Sequence, residues 1–365
     1  MQNYAEVLQV CFERYERVIA VSDLHGDCVG FDAMLQYAGF SRNDALVIVG
    51  DILERGRQSL KLLSRVMDLA ETSGRVFMVR GNNDTILTRF AAGQIPDEHM
   101  LGYMKSRESS VISEMAEQLN LPWNDENDVA RLRARISDRY AKEIAFIKQL
   151  PHIIDSERAV FVHAGIKPGR LDLQDASYCL TAEAFAQTEY RFDKPVVVGH
   201  WPTGNYCTKA LDVGIYHNRE GNIYSIDGGN SMKAWGQINM LVMTADGQIS
   251  FDAYDPCRRI QVLEDQCSEA EAVTLTFPNT RLSILEMEED KARCFVPYLN
   301  RDMLFDPRRI YEYKGNTYAG DFTTYFLPVQ AGEIVSYCGE CDEGILIKKR
   351  SIVGKYRGRY AFMQP

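Results

Sequence analysis

Short apolar runs rich in valine and isoleucine recur through the first two-thirds of the chain, at residues 18–21, 45–49, 76–79, 159–162 and 195–198. Each is only a few residues long, as buried strands are. Between the early runs, residues 31–37 and 59–70 carry apolar positions at helical spacing. This alternation predicts an α/β layered fold. Residues 1–15, with Glu6 and Glu13 among apolar positions, read as an amphipathic helix. From Asp84 to Pro151 no comparable strand stands out. The pattern there is helical, clearest over 129–150 with Pro151 as a stop, and predicts a helical cap at about 85–150.

After Gly221 the character changes. Residues 222–226, 238–243 and 249–254 read as strands, with Ala245-Asp246-Gly247 as a hairpin turn between the last two. Beyond Pro256 the pattern is strand-rich, with candidates at 274–277, 281–287, 310–313, 323–327, 333–337 and 344–348. The expected organisation is a body over 1–256 and a small all-β domain over 257–365, of the SH3-like barrel kind.

Bulk properties agree with two domains. The 365 residues exceed one ordinary core. The 45% hydrophobic and 25% charged fractions are those of a globular chain. No apolar run reaches the roughly 18 residues of a membrane span, and the N-terminus lacks the basic start and apolar stretch of a leader. The expected compartment is the cytoplasm. Nine cysteines, odd in number and scattered, read as reduced thiols. The lone pair Cys338 and Cys341 is half a zinc site at most and reads as a turn with two incidental thiols. A net charge of −10 argues against nucleic acid as a partner. One basic stretch (Lys348, Lys349, Arg350, Lys355, Arg357, Arg359) is either a solvated strand pair or a patch for an anionic partner. A protein partner for the C-terminal domain is the corresponding expectation.

Metal-capable residues follow the predicted strands: Asp23 and His25 after 18–21, Asp51 after 45–49, Asn82 after 76–79, His163 after 159–162, His200 after 195–198. In α/β sheets the carboxyl ends of strands are where ligands gather. Two carboxylates, an amide oxygen and three imidazoles, with no thiolate, suit Mn²⁺, Fe²⁺ or Zn²⁺. Six ligands are too many for one tetrahedral site but suffice for two divalent ions sharing a carboxylate. Such a pair can activate water and clamp phosphate oxygens. Gly26, Gly50, Gly81, Gly165 and Gly199 flank the ligands and permit close backbone approach.

These segments, Ser22-Asp23-Leu24-His25-Gly26-Asp27, Gly50-Asp51-Ile52-Leu53-Glu54-Arg55-Gly56, Gly81-Asn82-Asn83-Asp84, Val162-His163-Ala164-Gly165 and Gly199-His200, resemble the calcineurin-like metallophosphoesterases. Within them they are most similar to the phosphoprotein-phosphatase branch, with its bacterial serine/threonine phosphatases and symmetric diadenosine tetraphosphatases. Phe146-Ile147-Lys148-Gln149-Leu150-Pro151 and Ile226-Asp227-Gly228-Gly229 resemble that branch too, and the resemblance covers about residues 17–254. It implies a two-sheet β-sandwich flanked by helices. It implies that Asp23 and His25 hold one metal, that Asp51 bridges, and that Asn82, His163 and His200 hold the other. Manganese is the favoured metal, with iron or zinc as alternatives. Arg55 matches the arginine that grips phosphate, which a guanidinium can do bidentately.

Two departures bear on the substrate. Asn83 stands where the branch has a histidine that protonates the leaving alkoxide, and an amide cannot donate a proton in that sense. Glu54 stands where the branch has the aspartate that orients that histidine. The branch's second phosphate-gripping arginine, just before the last histidine, is not apparent. Trp201 either stacks on a base or packs its loop. A poor leaving group needs the acid most, so phosphoserine is put in doubt more than an anhydride or diester. His99 or His217 is the alternative proton source. The expected function is hydrolysis of phosphate esters or anhydrides, on a phosphoprotein or a nucleotide-like substrate. The reading from another class is a metal-binding pseudo-phosphatase scaffold.

Overall fold

The computed structural model describes residues 3–268 and 272–364. The chain divides into two compact units. One comprises 1–202 with 215–256; the other comprises 203–214 with 257–365.

The first unit is a sandwich of two sheets. One sheet has the order Ile249–Tyr254, Ile238–Thr244, Arg17–Val21, Asp44–Ile48, Val76–Met78. Its last three strands run parallel, Val18 beside Ala45 and Ile48 beside Met78. The other has the order Val7–Val10, Ile153–Ser156, Val160–Val162, Val196–Val198, Ile223–Ser225, Tyr216–Asn218. Side chains alternate across a strand, so each central strand feeds two cores. Val18, Ala20, Ala45 and Val47 join Ile154, Phe161 and Val197 between the sheets. Ile19, Val21, Leu46 and Ile48 join the helices on the opposite face.

That helical layer holds Cys28–Tyr37 and Ser59–Ser73, which follow the first two parallel strands. It also holds five helices between Thr85 and Gln149. The insertion is therefore no detached lid: Met100, Met104, Val111, Ile112, Val129 and Leu132 share a core with Ile19 and Leu46. The helix expected over 129–150 is two helices, Glu126–Arg139 and Ala141–Gln149. Tyr140 between them leaves helical geometry (φ −113°, ψ 31°), with its ring buried and its hydroxyl donating to Gln118 Oε1. Leu150 is extended, as a residue before proline must be.

The N-terminal helix expected over 1–15 is not formed over 3–15; residues 1 and 2 lie outside the described residues. Val7–Val10 is instead an edge strand, parallel to Ile153–Ser156. Phe12 and Tyr15 are buried at the end of the sandwich, Phe12 meeting Phe77 and Phe161 edge-on. Long-range pairing and these aromatic anchors outweigh a helical spacing that a short segment could not stabilise alone.

In the second unit every strand pairing between named strands is antiparallel. One sheet has the order Tyr360–Phe362, Arg259–Val262, Ile334–Cys341, Gly344–Lys349, Ile352–Tyr356, Leu211–Asp212. A five-stranded sheet and a two-stranded one complete it. Its described residues include one small core around Ile260, Ile347 and Tyr356 and another around Leu275, Cys294 and Phe305. The basic stretch is largely neutralised within this unit: Lys349 pairs with Glu333, Lys355 with Asp342 and Glu343, Arg357 with Glu343, Arg359 with Glu264. Cys338 and Cys341 lie on one strand, and neither is in a disulfide.

Candidate metal centre and substrate cleft

The loops after five strands of the first unit converge. Ligand atoms of Asp23, His25 and Asp51 lie within 4.8 Å of one another, and all three residues are buried. His25 Nε2 stands 3.7 Å from Asp23 Oδ1. On the other side of Asp51, His163 Nε2 is 3.5 Å from its Oδ2 and 3.0 Å from Asn82 Oδ1. The His200 ring lies 5.1 Å from that of His163, centroid to centroid. The chain thus brings all six predicted ligands together, with Asp51 between two groups of donors.

Backbone groups aim these side chains. His25 Nδ1 faces Leu53 O at 3.2 Å, and His163 Nδ1 faces Val49 O at 2.9 Å. A carbonyl can only accept, so the proton sits on Nδ1 and Nε2 is left for the site. The His200 amide donates to Asp23 Oδ2 at 2.9 Å. Asp23, His25, Asp51, Glu54, Arg55 and His200 all have positive φ, between 47° and 72°. Such backbone costs of order 1–3 kcal/mol per residue and persists where surroundings impose it, typically at functional sites. Gly81 and Gly199 are needed for space: a Cβ at Gly81 would lie 2.1 Å from Asp51 Oδ1, and one at Gly199 2.3 Å from Asp23 Oδ2.

Two carboxylates without an assigned role prove central. Asp84 is fully buried and accepts four amides, from Gly81 (2.8 Å), Asp51 (2.9 Å), Ile52 (3.0 Å) and Leu53 (3.2 Å). It locks the Asn82 loop to the Asp51 loop, and burial with the nearby Asp51 charge holds its carboxyl up at about 6. Asp227 follows the Ile223–Ser225 strand; its Oδ1 accepts from Gly229 N at 2.7 Å, while its buried Oδ2 has no hydrogen-bond partner. Burial raises its carboxyl to about 7. The signal in sequence was the pair of motifs, Gly81-Asn82-Asn83-Asp84 and Asp227-Gly228-Gly229, each ending a strand-to-loop turn.

The donor set fits a cation. Burial, then the Asp227 charge, push the Asp23 carboxyl well above its ordinary range. Burial also opposes the charge on Asp51, but His163 and the Asn83 hydrogen bond outweigh it and hold that carboxyl low. Burial would neutralise His163, yet Asp51 raises it to about 10. Burial and the His163 charge press His200 down to about 4. An imidazole Nε2, an amide oxygen and a carboxylate oxygen meeting in a buried space need positive charge between them. Without a metal, a proton on His163 must supply it; a divalent ion does so for several carboxylates at once.

Beside this centre opens a cleft of about 770 Å³, lined among others by Arg55, Asn82, Asn83, Arg89, Tyr103 and Arg107. Asn83 binds Asp51 twice: its amide N–H to Oδ1 at 2.8 Å, its side-chain Nδ2 to Oδ2 at 2.5 Å. Arg55 opens into the cleft and makes no ion pair among the described residues; its surroundings, then the Arg107 charge, lower its pKa. Glu54 is fully buried and turned toward the helical insertion, accepting from Tyr103 Oη at 2.7 Å and Val111 N at 3.0 Å. Neither His99 nor His217 lines the cleft; His99 is exposed and His217 stacks on Tyr224. His152 does line it, its Nδ1 accepting from Glu6 N at 3.1 Å. Trp201 is buried in its loop.

A sandwich with oxygen and imidazole donors gathered at its strand ends defines a class, and sequence comparison names it. The model of the calcineurin-like phosphoesterase family matches residues 16–227, and the chain belongs to that family. It is similar to the symmetrical bis(5'-nucleosyl)-tetraphosphatase of Nitrosomonas europaea, 41% identical over 81 residues. That match covers 22% of this chain and 29% of the relative. It is also similar to the asymmetrical bis(5'-nucleosyl)-tetraphosphatase of Bacillus cereus, 27% identical over 210 residues, covering 50% of this chain and 77% of the relative. A solved cold-active protein-tyrosine phosphatase of a psychrophilic Shewanella aligns over 68% of this chain and 83% of its own, with 16% identity and a TM-score of 0.39.

Proposed function

We propose that the protein is a two-metal phosphohydrolase specialised for substrates with good leaving groups, phosphoanhydrides of the dinucleoside polyphosphate kind above all. The observation that carries this is Asn83. Its amide is committed to Asp51 and has no proton to give a departing alkoxide.

Asp23 and His25 would hold one ion and Asn82, His163 and His200 the other, with Asp51 shared. Oxygen and imidazole donors without thiolate favour manganese over softer choices. Bound divalent ions supply Lewis acidity and an activated water for in-line attack at phosphorus. Arg55 faces the cleft beside them and takes non-bridging phosphate oxygens in a bidentate grip. Asp84 keeps the two ligand loops in register. Nine cysteines without a disulfide fit a reducing compartment, and we place the protein in the cytoplasm. Among the described residues no helix is long and apolar enough to cross a membrane.

The second reading is a phosphoprotein monoesterase, and His152 is the observation in its favour. This imidazole stands in the cleft wall, though burial and the Arg80 charge lower its pKa and make it a reluctant cation. A panel decides. With Mn²⁺, kcat/KM for bis(5'-adenosyl) tetraphosphate should exceed that for a phosphoserine peptide by about 100-fold or more, the typical worth of a general acid. A reversed order would favour the monoesterase. No release from either, or from p-nitrophenyl and bis-p-nitrophenyl phosphate, with both metals bound, would leave a metal-stabilised scaffold.

A further inference from the structure

The carboxylate of Glu54 follows the metal-binding loop in sequence but serves the helical insertion. Both of its oxygens are used there: Oε2 by the Tyr103 hydroxyl at 2.7 Å, Oε1 by the Val111 amide at 3.0 Å. Two further ties run between the same parts. Arg57 pairs with Glu108, and Glu114 accepts the amides of Ser59 and Leu60 at 2.9 and 2.8 Å. Residues 54–60, which carry Arg55, are therefore stitched to residues 103–114.

This stitching sets the place of one more cation. The Arg107 guanidinium lies over the Tyr103 ring, 4.1 Å from its centroid. Its Nε is buried and has no hydrogen-bond partner. Arg107 lines the cleft with Arg55 and Arg89, and among the described residues none of the three makes an ion pair. The charges of Arg55 and Arg107 are close enough for the second to depress the pKa of the first. The Glu54 carboxylate acts on both charges, but its oxygens are hydrogen-bonded to Tyr103 and Val111 rather than to either guanidinium, so both cations can still grip an anion in the cleft. A stacked guanidinium with free N–H groups offers that anion directed hydrogen bonds.

We propose that Glu54 is a positioning residue that holds Tyr103, and through it Arg107, so that Arg107 and Arg55 together grip a second phosphate adjoining the scissile one. The inference rests on the proposed function of this cleft and adds a specificity determinant to it. The cleft takes a diphosphate or longer chain in preference to a single phosphate. The insertion contributes this preference, whereas the metal centre by itself would treat both alike.

The test is a binding preference, so it does not depend on turnover. Calorimetry on the manganese-loaded protein, at constant free Mn²⁺, compares AMP with α,β-methylene-ADP, which carries one more phosphate and cannot be cleaved between the two. The wild type should bind the diphosphate about 10-fold more tightly, the worth of one charge-assisted contact. Arg107→Gln should reduce the ratio to about 2-fold or less by the same arithmetic. Tyr103→Phe and Glu54→Ala should reduce it although Arg107 is still present, while Glu54→Gln, which keeps an acceptor for Tyr103, should restore much of it. Equal affinity in the wild type, failure of either ligand to bind, or an unchanged ratio in Arg107→Gln would overturn the inference. A ratio that falls only with melting temperature, and is not restored by Glu54→Gln, would show Glu54 to be structural. Absence of hydrolysis with the preference intact would remove the proposed activity and leave the second phosphate site standing.

Discussion

Asn83 Nδ2 donates to Asp51 Oδ2 at 2.5 Å while the Asn83 backbone holds Asp51 Oδ1 at 2.8 Å. The residue that stands where a leaving-group acid is expected is thus a clamp on the carboxylate that lies between the two donor groups. Asn83→His should restore a proton donor. The monoester rate should rise about 10-fold, the low end for a general acid, because Glu54 is turned toward Tyr103 and cannot orient the new imidazole. Rates on p-nitrophenyl phosphate and bis-p-nitrophenyl phosphate measure it. An unchanged monoester-to-diester ratio would mean that the leaving group departs by another route.

Asp51→Asn removes the charge that lies between the two donor groups. His163 is held protonated near 10 by that charge, and losing it frees the imidazole without supplying the missing carboxylate. Metal content, by elemental analysis of dialysed protein, should fall below two ions per chain. Activity at saturating Mn²⁺ should fall by about 100- to 1000-fold, the cost of deleting a transition-state electrostatic contact. Full occupancy with full activity would show that Asp51 is not shared.

Stripping the metals should invert the response to pH. Asp227 is held up at about 7 and Asp23 is raised as well, so the folded metal-free chain keeps protons that unfolded carboxyls have already lost. Their contribution is fully present only below the unfolded carboxyl value of 3.8 and falls progressively as pH rises through the folded value, about 7 for Asp227. His163, raised to about 10, acts in the same sense, its share declining from its unfolded value of about 6.5 upward. Each group costs up to about 1.4 kcal/mol per pH unit in its window. The melting temperature of chelator-treated protein should therefore fall by several degrees from pH 6 to pH 8. Manganese-loaded protein should hold or gain, because the ion replaces those protons. Parallel trends with and without metal would count against a buried carboxylate cluster.

How far this was legible in the residues differs from place to place. The strands before Asp23, Asp51, His163 and His200 announce themselves because they are buried on both faces and need little context. Val7–Val10 does not, since its partner lies 146 residues away and only that pairing makes it a strand. Ala292–Val296 alternates buried and more exposed positions, but Phe295, apolar on the outward side, blurs the pattern. The candidate metal donors were chosen from type and order, and the fold brings their side chains together. The aim of Glu54 was not: its neighbours in sequence belong to the metal loop, and its partners Tyr103 and Val111 are 49 and 57 residues away. Asp84 and Asp227 were visible as letters, while their importance comes from burial.

Gly81 separates space from backbone freedom. It is not in the left-handed region, so alanine meets no backbone penalty there, yet its Cβ would lie 2.1 Å from Asp51 Oδ1 and 2.3 Å from Asp51 N. Neither atom can yield without moving the loop that Asp84 fixes. Gly74 is the converse: it caps the Ser59–Ser73 helix at φ +60° with nothing near its missing Cβ. Gly74→Ala should cost about 1 kcal/mol of conformational strain and leave the metals in place. Gly81→Ala should cost about 1–3 kcal/mol by overpacking, and should also lower metal content and activity. Thermal melts with elemental analysis on both variants test the difference. Equal losses of stability with full metal in Gly81→Ala would show that the Asn82 and Asp51 loops can part without disturbing the site.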